Sequence, residues 1–304
     1  DPTDDVRSIT FAILRWRDDA ARERRRLAGK ATFEYGAYAS HRWQENDVPA
    51  AYLPTATPTP LTAQQVVYRG YTATAVDGWA RLTTPKFRAE LEIAGLFAHV
   101  DQGSLIPGVL LNHPVTSKQL GAALETEIGS PTADFRGGFD AGIASGDPAA
   151  GFGVVTPVGA KAPKPGDLDG PQANPPGDDT VNNFRFHPDY RVDQILFREI
   201  IGTVTDAVYL RPHATYAIAK VGPSRLVAEV AAVASFAVCA TSAPGQKSPL
   251  GVEVDPTLAW GSADGFNVAL EYGALFPLAG LDNPALHLSA QPAQVVRLRL
   301  IYAF

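Results

Sequence analysis

The 304-residue chain contains no methionine and a single cysteine, Cys239. One thiol excludes an internal disulfide and leaves no cysteine spacing for a metal or redox motif. With no Met at position 1 and no charged-then-apolar leader, the sequence is expected to be processed or to be part of something longer. Long apolar runs are lacking too. The most apolar stretch, 226–240, is interrupted by Glu229 and Ser235, and it falls short of the roughly 20 residues that a spanning helix needs. This excludes a polytopic helical protein. Basic residues are also few: 26 Lys and Arg stand against 32 Asp and Glu, for a net charge of -6, and they cluster only at 22–26. That leaves no electrostatic footprint for nucleic acid. The 27 glycines and 25 prolines exceed what long helices tolerate, so strands and loops are expected.

What the sequence does hold is alternation. Eleven segments alternate apolar and polar residues with the period of a strand that has two unlike faces. They are 8–17, 31–43, 67–83, 87–99, 119–128, 135–145, 207–219, 225–239, 250–260, 266–276 and 295–304. Many are longer than the usual five or six residues of a globular strand and reach the roughly 9 to 11 of a tilted membrane strand. The links alternate in length: 83–87, 128–135, 219–225 and 260–266 are short, whereas 44–66, 100–118, 146–206, 240–249 and 277–294 are long. Tight turns at one end and long loops at the other is the plan of an outer-membrane barrel, with its turns in the periplasm and its loops outside. The link 18–30 breaks the rule, and its basic run Arg22, Arg24, Arg25, Arg26 suggests a short periplasmic helix.

The faces agree with this plan. In 87–99, Phe87, Ala89, Leu91, Ile93, Gly95 and Phe97 oppose Arg88, Glu90 and Glu92. Alternation alone leaves the solvent undecided, since a soluble sheet also buries one face. Aromatic placement favours lipid. At the short-turn ends the apolar face carries Phe33, Tyr35, Phe87, Phe135, Tyr216, Trp260, Phe266, Tyr302 and Phe304; at the other ends it carries Trp43, Phe97, Phe236 and Phe276. Two belts of this kind are expected at the headgroup level of a bilayer.

The closing residues 295–304 resemble the C-terminal strand of bacterial outer-membrane proteins, with Val296, Leu298, Leu300, Tyr302 and Phe304 in the alternating positions that end on an aromatic. The resemblance implies recognition by the barrel-assembly machinery, with Tyr302 and Phe304 as the assembly signal. More broadly, 189–212 and 31–43 resemble an uncharacterised family of myxobacterial outer-membrane barrels, whose members are longer. That resemblance brings no transport substrate with it. Parity adds that a barrel with an even strand number starts and ends in the periplasm, so eleven strands predict at least one more upstream.

These readings combine into one expectation: an all-β, antiparallel transmembrane β-barrel over 1–304, with a long extracellular loop at 146–206 and N-terminal strand or strands missing. It would sit in a bacterial outer membrane, against lipid and lipopolysaccharide, with no cofactor. Its lumen would be lined by Arg88, Glu90, Glu92, Glu125, Glu127, Arg136, Asp140, Arg211, Glu229, Glu253, Glu271, Arg297 and Arg299, and by Glu34, Arg42, His213, Arg225 and Asp255 beside them. Glu90, Glu92, Glu125 and Glu127 form a negative wall that predicts mild cation preference unless Arg88 and Arg136 neutralise it. In the long loop, Val192, Ile195, Leu196, Phe197, Ile200 and Ile201 interleave with Arg191, Asp193, Arg198 and Glu199, a pattern suited to a short amphipathic helix. Such a helix either folds into the mouth as a constriction or lies on the rim. The Pro- and Gly-rich stretch 159–179 is expected to be exposed and mobile. Its Asp167, Asp169, Asp178 and Asp179 match no calcium-loop spacing and read better as solvated charge than as a metal site. Six histidines are present, but no spacing marks a nucleophile, so no catalytic residue is assigned. The function expected is passive diffusion of small hydrophilic solutes, alone or as a homo-oligomer. The alternative is a non-conducting barrel that serves as a surface adhesin or as a scaffold for a partner protein.

Overall fold

The computed structural model describes residues 6–47, 66–103, 113–130, 132–152, 164–168, 170, 178–222, 224–262 and 264–302. Eleven strands join in one antiparallel sheet in strict chain order. They are β1 (Arg7–Arg15), β2 (Thr32–Asp47), β3 (Val67–Thr83), β4 (Phe87–Val100), β5 (Val115–Ile128), β6 (Phe135–Ala144), β7 (Ala207–Val221), β8 (Ser224–Ala237), β9 (Pro249–Gly261), β10 (Phe266–Pro277) and β11 (Ala293–Tyr302). Each coincides with one of the eleven alternating segments, with ends displaced by a few residues. Phe304 lies outside the described residues, as do 159–163, Asp169 and 171–177 of the stretch expected to be mobile. No helix among the described residues is long and apolar enough to cross a membrane, which says nothing of strands.

The link between β1 and β2 holds a helix, α1 (Asp19–Leu27), as its basic run suggested. The Asp18 side chain caps it by accepting the Ala21 N–H at 2.6 Å, and Arg24, Arg25 and Arg26 lie in the last turn, where cations suit the helix dipole.

Directly opposed residues of an antiparallel pair share a face, so the register sorts the side chains. One face carries Arg88 opposite Glu127, Glu90 opposite Glu125, Asp140 opposite Arg211 and Glu271 opposite Arg297. The other carries Phe87 opposite Ile128, Leu91 opposite Leu124, Phe135 opposite Tyr216 and Leu270 opposite Leu298. The charged face is the covered one, and it is called the inner face below. Over it lie α1 and the segment 178–206, whose Val192, Ile195, Leu196, Phe197, Ile201 and Val204 form a buried core with Tyr209 of β7, Val233 of β8, Leu250 of β9 and Leu275 of β10. The apolar face is bare: Phe11 is 64% exposed, Phe135 63% and Leu298 66%.

Two inner-face glycines make room for the rings of this core, Gly121 for Phe184 of the segment and Gly142 for Tyr209 of β7 beneath it. A Cβ at Gly121 would fall 2.3 Å from the Phe184 ring, and one at Gly142 would fall 2.3 Å from the Tyr209 ring. Gly142→Val drives a branched side chain into Tyr209, and overpacking of this kind costs about 1 to 3 kcal/mol. Its thermal unfolding midpoint in detergent is expected to fall, while Gly78→Ala, which meets nothing within 4 Å, leaves the midpoint unchanged. Equal midpoints for the two variants would overturn this account of the seat.

Candidate functional site: the inner face and its seated segment

The thirteen residues expected to line a lumen all lie on the inner face. Most are spent on each other. Arg88 bridges Glu90 and Glu125, the latter at 3.2 Å, and Arg136 meets Glu127 at 3.1 Å. Arg211 reaches Asp140 at 2.7 Å and Glu229 at 3.4 Å, and Arg299 meets Glu271 at 2.6 Å. The negative wall drawn from Glu90, Glu92, Glu125 and Glu127 is therefore neutralised at three of its four members. Glu92 is the exception.

Residues outside that set join the same network. Glu34 of β2 accepts from Arg81 of β3 at 3.0 Å and from the Arg17 backbone N–H at 2.8 Å. Arg26 of α1 crosses to β5, where it meets Glu127 at 3.2 Å and donates to the Gly129 carbonyl at 2.9 Å. It also donates to the Pro85 carbonyl at 3.4 Å. Helix α1 is thus tied across the short-turn end of the inner face. The basic run was visible in the sequence, but its partner a hundred residues away was not.

The segment 178–206 departs from expectation. The amphipathic helix drawn over 191–201 is only a five-residue π-helical turn, Leu196–Ile200. The reason is two carboxylates. Glu253 of β9 accepts the N–H groups of Gln194, Ile195 and Leu196 at 2.8, 2.7 and 3.0 Å, and Asp193 accepts those of Phe197 and Arg198 at 2.9 and 3.2 Å. Five consecutive donors are satisfied from outside the regular helical ladder, so the chain takes the path the carboxylates dictate. Of the four charges expected at a constriction, Asp193 is buried in this capping, Arg191 and Glu199 are exposed and Arg198 is half-buried. Arg297 of β11 closes the seat by bonding Gln194 and Glu199. Glu253, Asp140 and Glu271 are buried on the inner face and do not border open space.

A second anchor sits at the long-loop end. Asp147 accepts from the Thr180 hydroxyl and the Asn182 N–H, both at 3.0 Å, and Asp206 accepts from the Cys239 N–H at 2.7 Å and from the Ser242 hydroxyl. Tyr190 and Tyr209 share a hydroxyl contact at 2.8 Å between the anchors. Among the described residues no three His, Cys, Asp or Glu side chains gather as metal ligands.

Burial and the neighbouring Glu253 carboxylate push Asp193 up to about 7, and burial, with Asp147 nearby, pushes Asp206 up to about 6.

No protein-family model and no curated protein matches the sequence. Among solved structures, the beta domain of the Bordetella autotransporter BrkA is similar over 97% of this chain and 86% of that one, at 11% identity and a TM-score of 0.27. The fold described above rests on strand order and register.

Both raised carboxyls carry a consequence for pH. Between about pH 4, where they ionise in the unfolded chain, and about pH 7, the folded chain holds more protons than the unfolded one, so stability falls as pH rises and levels off above that window. Thermal midpoints in detergent are expected to decline from pH 5 to pH 7.5. Asp193→Asn is expected to make that decline shallower. A wild-type midpoint that rises with pH would refute the assignment.

Proposed function

We propose that this chain is a bacterial outer-membrane β-barrel protein that gives small hydrophilic solutes a passive route along the part of the inner face which the segment 178–206 leaves uncovered. The observation that carries the reading is the inversion of the sheet. Its covered face holds the ion pairs, and its bare face holds Ile9, Phe11, Ile13, Leu91, Ile93, Phe97, Leu298 and Leu300. Water would make that arrangement unfavourable at about 25 cal/mol for each Å² of apolar surface left exposed, whereas acyl chains suit it. Outward aromatics at both strand ends, with Phe33, Phe135 and Tyr216 at one and Phe97 and Phe276 at the other, fit two headgroup belts.

The solute path of this reading runs beside β2 to β5, past Tyr38, Trp79, Ala94 and Leu96 on the inner face. The β9–β11 side is closed by the seated segment, which acts as the constriction. The last strand, with Val296, Leu298, Leu300 and Tyr302 facing outward opposite β10, suits handling by the barrel-assembly machinery. The stretches that resemble the myxobacterial family supply β2 and most of the seated segment. No catalytic role, cofactor or nucleic-acid partner is assigned.

A second reading has an observation in its favour. The apolar core of Phe152, Ile195, Leu196 and Phe197 against the inner face suits a non-conducting barrel whose long loops serve as an adhesin or hold a surface partner. Conductance separates the two. The purified protein in a planar bilayer is expected to give discrete steps, and Glu253→Ala, by freeing three N–H groups of the seat, is expected to enlarge or destabilise them. A silent, folded, incorporated protein would overturn the channel and favour the second reading.

A further inference from the structure

The charge network of the inner face leaves one pair of carboxylates out. Asp77 of β3 opposes Ala94, and Glu92 of β4 opposes Trp79, so the two are diagonal neighbours on the same face. The adjoining acids are paired: Arg81 lies 3.0 Å from Glu34 and 3.7 Å from Glu90, and Arg88 binds Glu90 and Glu125. Arg81 also stacks on the Trp79 ring at 5.0 Å. Among the described residues no cation lies within ion-pairing distance of Asp77 or Glu92. The two carboxyls are in hydrogen-bond contact with each other, and two adjacent carboxylates repel one another unless a proton or a positive charge joins them.

Facing them is a wall of aromatic rings. A cavity of about 210 Å³ separates Glu92 and Ala94 from the seated segment, which presents Phe184, Phe186 and Tyr190 to it. The rings hold each other edge to face, with centroids 5.8 Å apart for Phe184 and Phe186 and 5.4 Å for Phe186 and Tyr190. Phe184 is fixed further by its packing on Gly121. Arg185 and His187 also border the cavity.

We infer that this cavity binds a small organic cation of the alkylammonium class, with Glu92, backed by the neighbouring Asp77, supplying the countercharge and Phe184, Phe186 and Tyr190 the aromatic wall. Carboxylates alone would take a hydrated metal ion equally well. Aromatic faces instead favour a cation with an apolar, weakly hydrated surface, because they attract it through the ring quadrupole without having to replace a tight water shell. The site lies where the seated segment borders the uncovered inner face and rests on the reading of that face as a solute path. It deepens that reading by naming the solute class the path selects.

The test is calorimetric titration of the detergent-purified chain with choline, beside its uncharged isostere 3,3-dimethyl-1-butanol. Choline is expected to bind and the isostere is not. Asp77→Asn and Glu92→Gln, which keep shape and remove charge, are each expected to weaken choline by about tenfold, the ratio that corresponds to one lost favourable charge contact of ordinary size. Phe186→Leu, which removes one ring of the wall, is also expected to weaken choline. Equal binding of choline and the isostere, no choline binding at millimolar concentration, or full binding by both charge variants would each overturn the site. Conduction without choline binding would sink the site alone, and choline binding by a silent barrel would sink the route alone.

Discussion

Every hydrogen-bonded pairing in this sheet joins strands adjacent in sequence, and one phase of side-chain alternation has to survive all ten of those pairings. A single-residue slip at any one of them would send every later charge to the bare face and every later aliphatic to the covered one. The register sets Asp140 opposite Arg211 and Glu271 opposite Arg297 within the strands, and Arg88 opposite Glu127 at the short-turn end. Its three irregularities, at Gln44/Asn46, Ala217/Ala219 and Ser235/Phe236, fall near strand ends, where few residues remain to be misplaced. The charge pairs thus secure the register as well as furnish the interior. An exposed ion pair adds little stability, but a one-residue slip would set the charges of a strand among the aliphatic side chains of the bare face.

The seated segment depends on a narrower contact. Glu253 is buried on β9 and gives both carboxylate oxygens to three N–H groups, and Asp193 gives its own to two more. Burying two acids close together is costly, and five charge-assisted hydrogen bonds offset that cost. The apolar side chains of 192–204 then pack where the carboxylates have placed the backbone. This order of cause explains the short π turn: the hydrophobic pattern alone would have continued as a helix, and the polar anchors override it.

The sequence made the strands legible because alternation is a local signal, and all eleven segments reappear as strands at nearly the same ends. The helix in 18–30 was legible for the same reason, with Asp18 as its cap and arginines in its last turn. Pairings between distant residues were not. Nothing local links Arg26 to Glu127 or Gln194 to Arg297, because those contacts follow from how α1 and the segment 178–206 cross the sheet. The unpaired acids show the limit most clearly. Glu90, Glu92, Glu125 and Glu127 look alike in sequence, and only the register reveals that Glu92 is left with Asp77, an acid that stood in a strand segment without attracting notice.

The edges follow from the same meander. Alternating antiparallel strands place β1 and β11, both odd in the order, in the same direction, so pairing these two edges directly would make a parallel ladder. In a bilayer an unpaired edge is not tolerated, since each unsatisfied N–H or C=O in hydrocarbon costs several kcal/mol. Both edges are also apolar on the bare face, with Ile9, Phe11 and Ile13 on β1 and Val296, Leu298 and Leu300 on β11 exposed. On the outer-membrane reading, antiparallel closure between these two edges would call for an odd number of strands between them, each apolar on its outer side. The smallest such complement is one strand running with β2 and β10, which would satisfy both edges at once and preserve the alternation that the other ten pairings maintain.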